Sequence, residues 1–218
     1  MTTEISKKSR RKSTTALRRR KQIYEAGLHL FLKKGFKGTT MREISEEVNI
    51  TAPGLYNFVR SKHDIFVMFA ENLKVDTEMI DNYRKSLGDV SPTQALRECC
   101  KYWLTQSKIE QDFTIILERD TYNFDPDIQQ ALLEDFKKFI HLFEELLHNG
   151  IKAGEFQVGN VTLVAFNIVM ARIDFAMKRW YLRKLFTPEE YVSDQIENIL
   201  KQVMPDKSRK IDTEVKTV

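Results

Sequence analysis

The chain has 218 residues, 42% of them hydrophobic and 30% charged, with only five prolines and eight glycines, which fits one small and one medium helical domain. Long strand-like alternation is absent, and no uninterrupted apolar run reaches the roughly 20 residues a membrane helix needs. The net charge of +4 hides an asymmetry: residues 1–65 carry 15 Lys/Arg against 6 Asp/Glu, and the remainder carries 20 against 25. A basic end of this kind is suited to meeting phosphates, although a basic terminus that serves only solubility is the bland alternative.

Residues 1–16, MTTEISKKSRRKSTTA, are polar and predict a mobile arm, with Lys7, Lys8, Arg10, Arg11 and Lys12 suited to a minor groove or a phosphate backbone. No apolar segment follows them, so the reading is of a cytoplasmic chain without a secretory signal. From Arg18 to Gly35, Ile23, Ala26, Gly27, Leu30 and Phe31 share one helical face, and Gly35 is the stop. Thr40 is an N-cap candidate for a short helix with Met41, Ile44 and Val48 on one side. Asn49 breaks it, because Asn tolerates the left-handed conformation that a sharp helix-to-helix turn demands. Thr51 then caps a second short helix with Pro53 in its first turn. Leu55, Phe58 and Val59 face inward, leaving Thr51, Ala52, Pro53, Gly54, Tyr56 and Asn57 along the N-terminal and outer surface. This is the layout of a helix-turn-helix over residues 40–59, which offers the start of its second helix to a major groove.

Ser61 and Asp64 cap a long helix expected to run to about Lys85 and to tie a head, residues 17–77, to a body, residues 78–204. Further helices are predicted from Pro92 to about Ser107, from Gln111 to about Tyr122, and from Pro126 until Gly150 or Gly154. Asn160 caps the next, which is apolar on more than one face through Leu182 and so needs partners on both sides. Thr187-Pro188-Glu189-Glu190 is a capping box for the last, to about Val203, and residues 205–218 read as a polar tail. The fold class is all-α.

Chemistry-bearing clusters are few. Cys99 and Cys100 are adjacent and read as reduced thiols, and the four histidines show no metal spacing with other ligands, so neither a metal nor a cofactor is expected. No phosphate loop or nucleophile elbow is present, which leaves catalysis without a motif.

The basic run before Ile23, the stretch LHLFLKKGFKGTTMREIS and above all LYNFVRSKHDI resemble the TetR family of transcriptional regulators over residues 17 to 77. Two departures stand out: Asn49 replaces the usual Gly, and Gly54 replaces a common Thr or Ser. The resemblance implies a DNA interface of Thr40, Arg42, Thr51, Ala52, Pro53, Gly54, Tyr56, Asn57 and Lys62, with Tyr56 and Lys62 on phosphates. It also implies a homodimer on a palindromic operator in double-stranded DNA, joined through the last two long helices. The segment AMKRWYLRKLFTPEEYV is similar to regulators of fatty-acid and steroid catabolism that respond to acyl-CoA thioesters.

The expected function is a ligand-responsive repressor released by a small hydrophobic effector, with acyl-CoA one candidate. Tyr102, Trp103, Phe113, Ile116, Tyr122, Phe166 and Met170 are candidate pocket residues, and Arg119, Asn167 and Asp174 candidate polar contacts. Each has a structural alternative, core packing for the apolar set and salt bridges for the charged one. A helical protein-interaction module, or a small-molecule enzyme without DNA binding, is the competing class. The first leaves the basic head unexplained, and the second lacks an acid–base or nucleophile cluster.

Overall fold

A computed structural model describes residues 2–73 and 77–205, with side chains over 17–68, at 80 and over 82–205. These residues form eleven α-helices and one 3-10 turn and contain no strand. They divide into two units, Met1–Val75 with Ser107–Leu133, and Asp76–Gln106 with Glu134–Val218.

The first unit begins with α1 (Thr2–Gly38). Its backbone is helical from Thr2, where a mobile arm was expected. No Gly or Pro interrupts residues 1–26, and the segment is rich in Lys and Arg, which favour helix. The expected stop holds, for Gly35 has φ +80° and interrupts the helical backbone. α2 (Met41–Glu47) opens on Thr40, whose Oγ1 accepts Glu43 N–H at 3.2 Å while Glu43 Oε2 accepts Thr40 N–H at 2.9 Å. Lys34 pairs with the same carboxylate. These bonds, the Lys34 contact first, hold the Glu43 carboxyl down at about 2. Asn49, at φ 53°, makes the turn into α3 (Ala52–Tyr56), and Thr51 Oγ1 accepts Gly54 N–H at 3.1 Å.

α4 (Lys62–Leu73) begins with Ser61 Oγ accepting Asp64 N–H at 3.1 Å. The reciprocal bond differs from the expected one by a residue, since Asp64 accepts from Arg60 N–H at 2.6 Å rather than from the backbone of Ser61. The long helix expected over 61–85 is described as α4 and α5 (Thr77–Ser86), and the join at 74–76 lies outside the described residues.

α7 (Lys108–Asp120), the 3-10 turn Thr121–Asn123 and the start of α8 (Pro126–Lys152) complete this unit. α7 starts three residues before the expected Gln111, on a Ser107–Glu110 capping box. Ile116 and Phe124 enter one core with Ile23, Phe31, Ile44, Leu55 and Ile65, and Phe124 packs on Phe36 and Phe66 at 4.9 and 4.4 Å between ring centroids. Residues 107–133 therefore pack with the expected head, although they were assigned to the body. That assignment followed chain order, whereas apolar side chains group by burial.

Polar contacts reinforce the packing. Arg119 donates to the carbonyls of Phe31 and Leu32, occupying acceptors near the end of α1. Asp120, only 4% exposed, accepts Phe36 N–H at 3.1 Å and two bonds from Arg119.

The second unit holds α5, α6 (Pro92–Leu104), the remainder of α8, α9 (Val161–Met177), α10 (Arg179–Leu182) and α11 (Pro188–Val203). Ser91 and Thr187 cap α6 and α11, and Glu155 adds a carboxylate to the first turn of α6, accepting Thr93 N–H at 2.9 Å. Gly154, φ +74°, follows the end of α8, whereas Gly150 lies within it and admits the Phe156 ring, which a Cβ would meet at 1.9 Å. The single helix expected from 161 to 182 is two, broken at Lys178, and no Gly or Pro in the sequence signals the break. Cys99 and Cys100 are buried, and burial pushes the Cys100 thiol up, away from a reactive thiolate. Among the described residues no helix is long and apolar enough to cross a membrane.

Asp120→Ala leaves Phe36 N–H without its acceptor in a buried site, and urea unfolding is expected to show a loss of about 2 kcal/mol. Glu43 sits well below its ordinary value of 4.5, so its stabilisation is fully present above that pH. The contribution fades as pH falls through the ordinary range toward about 2. A carboxyl NMR titration of Glu43 checks this, and a midpoint near 4.5 contradicts it.

Candidate nucleic-acid interface

α3 spans five residues, too short to persist alone, and is held from below by Leu55 and Val59, both buried in the first unit's core. Phe58 is half-buried beside them. With that side anchored, Thr51, Pro53, Tyr56 and Asn57 are exposed, and Ala52 and Gly54 are partly so. All six expected outward positions thus lie on one accessible surface. Tyr56, the last residue of α3, is 53% exposed.

The turn is fixed at both ends. Ile50 N–H donates to Ser45 O at 3.0 Å, and Arg19 Nη1 reaches Val48 O at 3.4 Å, near the end of α2. Arg19, Glu46, Asn49, Ile50, Thr51, Gly54, Asn57 and Phe58 line an open groove beside α3. Arg19 was visible only as part of a basic run, and nothing in a one-dimensional pattern brings it to Val48, 29 residues away. The Gly at position 54 has a local reason: a Cβ there would stand 3.0 Å from Thr51 Oγ1, against the cap.

Thr40 and Arg42 are exposed on α2. Arg42 Nε donates to Glu46 Oε1 at 2.8 Å, an exposed surface pair of the kind that contributes little to stability. Lys62 differs from the solvated residue its sequence position suggests. Its Nζ donates to Phe36 O at 2.6 Å, lies 4.7 Å from the Phe36 ring centroid, and is pushed down in pKa by burial. An ammonium carries three donors, so two remain for an incoming oxygen.

The ten candidate effector contacts fall in two places. Phe113, Ile116, Arg119 and Tyr122 belong to the first unit. Ile116 is fully enclosed in its core, Phe113 packs on Phe66 at 5.1 Å, Arg119 is bound to α1 carbonyls, and Tyr122 is 89% exposed. Tyr102, Trp103, Phe166, Asn167, Met170 and Asp174 belong to the second. There Tyr102 stacks on Tyr83 at 4.9 Å, Trp103 and its neighbours form the buried side of α6, and Asn167 and Asp174 are exposed on α9. Arg172 bonds to Trp103 O at 2.6 Å, a partner the sequence pattern did not suggest.

Residues 23–68 match the model for bacterial regulatory proteins of the tetR family, and residues 89–203 match that for the tetracyclin repressor-like C-terminal domain. The chain is 23% identical over 176 residues to the transcriptional regulator HbdR of Aromatoleum, covering 81% of this chain and 76% of that protein. Among solved structures, a tetR-family regulatory protein from Rhodococcus RHA1 superposes with a TM-score of 0.74 at 17% identity, covering 86% of this chain and 98% of that one. AibR, solved in complex with isovaleryl coenzyme A and operator DNA, superposes with a TM-score of 0.65 at 18% identity, covering 83% and 97%. With both halves of the chain matched, and with the exposed, Thr51-capped α3 inside the first match, the chain belongs to the tetR family of bacterial regulatory proteins, which are DNA-binding transcriptional regulators rather than enzymes.

Proposed function

We propose that this regulator is a cytoplasmic repressor that binds a palindromic operator as a homodimer and is released by a small apolar effector, an acyl-CoA being the favoured class. The observation that carries the DNA reading is the outward face of α3, where Thr51, Pro53, Tyr56 and Asn57 are exposed while Leu55 is buried. Thr51 and Asn57 supply hydrogen bonds to base edges, Ala52 and Pro53 suit thymine methyl groups, and Gly54 allows close approach. Thr40, Arg42, Tyr56 and Lys62 position the helix on phosphates.

Two copies are required because reading a palindrome takes two such helices about 34 Å apart. Support for a pairing surface comes from α9 and α10, where Leu163, Phe166, Trp180 and Tyr181 are exposed apolar or aromatic residues. The exposed positions of α11 are mostly polar, so α9 and α10 supply most of the apolar area and α11 the rim. The acyl-CoA class is supported by AibR, which binds isovaleryl coenzyme A, and by the aromatic residues of the second unit. A role in fatty-acid metabolism follows from that class.

Duplexes selected from a random pool provide the operator for the decisive measurement. Octanoyl-CoA is expected to weaken operator binding at least tenfold by fluorescence anisotropy, and operator to weaken octanoyl-CoA binding by the same factor, because linkage is reciprocal. An unchanged dissociation constant at saturating octanoyl-CoA rejects that effector class. Lys62→Ala is expected to weaken binding to all duplexes alike and to lower the magnitude of the salt slope by roughly 0.9. Weaker binding with an unchanged slope would instead assign Lys62 to holding Phe36 alone.

A further inference from the structure

Trp103 is 4% exposed, yet its indole Nε1 has no hydrogen-bond acceptor among the described residues. Buried N–H groups are ordinarily paired, so a donor left open within a packed unit calls for an occupant. The ring has little freedom to turn toward water. The Arg172 guanidinium lies over its face, 4.8 Å from the centroid, and Nη1 donates to the Trp103 carbonyl at 2.6 Å. Phe139 and Phe143 close on it at 4.4 and 6.2 Å between ring centroids.

The surroundings specify the occupant's chemistry. A donor beside a guanidinium favours an oxygen acceptor over a sulfur or a π-face, because the positive field strengthens its bond to a polarised oxygen. One turn along α8 from Phe139, Phe136 is half-buried and meets the exposed Phe166 of α9 edge-on at 6.2 Å. An apolar chain leading away from the acceptor therefore has aromatic surface to follow.

We propose that Trp103 Nε1–H is the donor that reads the terminal oxygen of an acyl effector in the second unit, with the acyl chain against Phe139 and Phe136. Arg172 is a positioning residue that pins the indole. The inference rests on the effector response proposed above and narrows it to the acyl oxygen, whether of a thioester or of a free acid.

The test uses the full chain labelled with 15N-indole. It contains two tryptophans, Trp103 and Trp180, and Trp180→Phe assigns their resonances. S-octanoylpantetheine, S-octylpantetheine, which lacks only the carbonyl oxygen, and octanoate are titrated separately. S-octanoylpantetheine or octanoate is expected to move the Trp103 indole proton downfield saturably, and whichever does so identifies thioester or acid as the source. S-octylpantetheine is expected to leave the proton unmoved. Where the thioester is the source, S-octylpantetheine should bind about tenfold more weakly, the worth of one neutral hydrogen bond, and Trp103→Phe should bring that ratio to about one.

The proposal is overturned if neither acyl compound moves the Trp103 proton, as with a resident water, if S-octylpantetheine moves it equally, or if Trp103→Phe keeps the preference. Operator anisotropy on the same samples separates the two readings. Release of DNA with the Trp103 resonance unmoved overturns this site and leaves the effector response standing. Movement of Trp103 without release of DNA supports the site and removes the effector response.

Discussion

A helix of five residues has no stability of its own, and α3 depends on Leu55 being driven into the core of the first unit. Burying one leucine side chain contributes about 2 kcal/mol, and Val59 adds a second anchor just past the helix end. Because the inner side is apolar and sunk, the outer side is presented outward, and the Thr51 cap satisfies Gly54 N–H at the start of the helix. The left-handed Asn49 fixes the angle at which this happens. The face we propose for DNA is thus a consequence of where hydrophobic burial stops.

The core that receives Leu55 is only partly built by the helices that precede and follow it. Ile116 and Phe124 fill it from a segment some sixty residues downstream, and Arg119 and Asp120 fasten that segment to the carbonyls and amide near the end of α1. A buried carboxylate that accepts a backbone N–H is costly to leave unpaired, so this fastening is specific as well as stabilising. The consequence for function is that α7 is a structural component of the DNA-binding head.

The second unit is organised on a different principle. α9 is apolar nearly all round, and it leaves Leu163 and Phe166 exposed. Inside, three side chains tie helices to backbone carbonyls: Tyr191 donates to Ala171 O, Gln106 Nε2 to Arg172 O, and Arg172 to Trp103 O. The indole N–H of Trp103 is buried there without an acceptor, and it is the group we propose for a ligand's oxygen.

By itself the amino-acid order determined what rests on neighbours within a few residues. The caps at Thr40, Thr51, Asn160 and Thr187, the stop at Gly35 and the left-handed Asn49 are local steric and hydrogen-bond facts, and each was legible, as were the all-helical class and the family. The Ser107–Glu110 box was equally legible in principle, as a Ser followed three residues later by Glu, though the helix was placed three residues late. Only the tertiary structure decided that 107–133 packs with the head, that Arg19 reaches Val48, that Lys62 turns back to Phe36, and that Arg172 pins Trp103. The reason is physical: periodicity reports which face of a helix is apolar, but not which distant face will cover it, and long polar side chains take whichever partner that packing brings within reach.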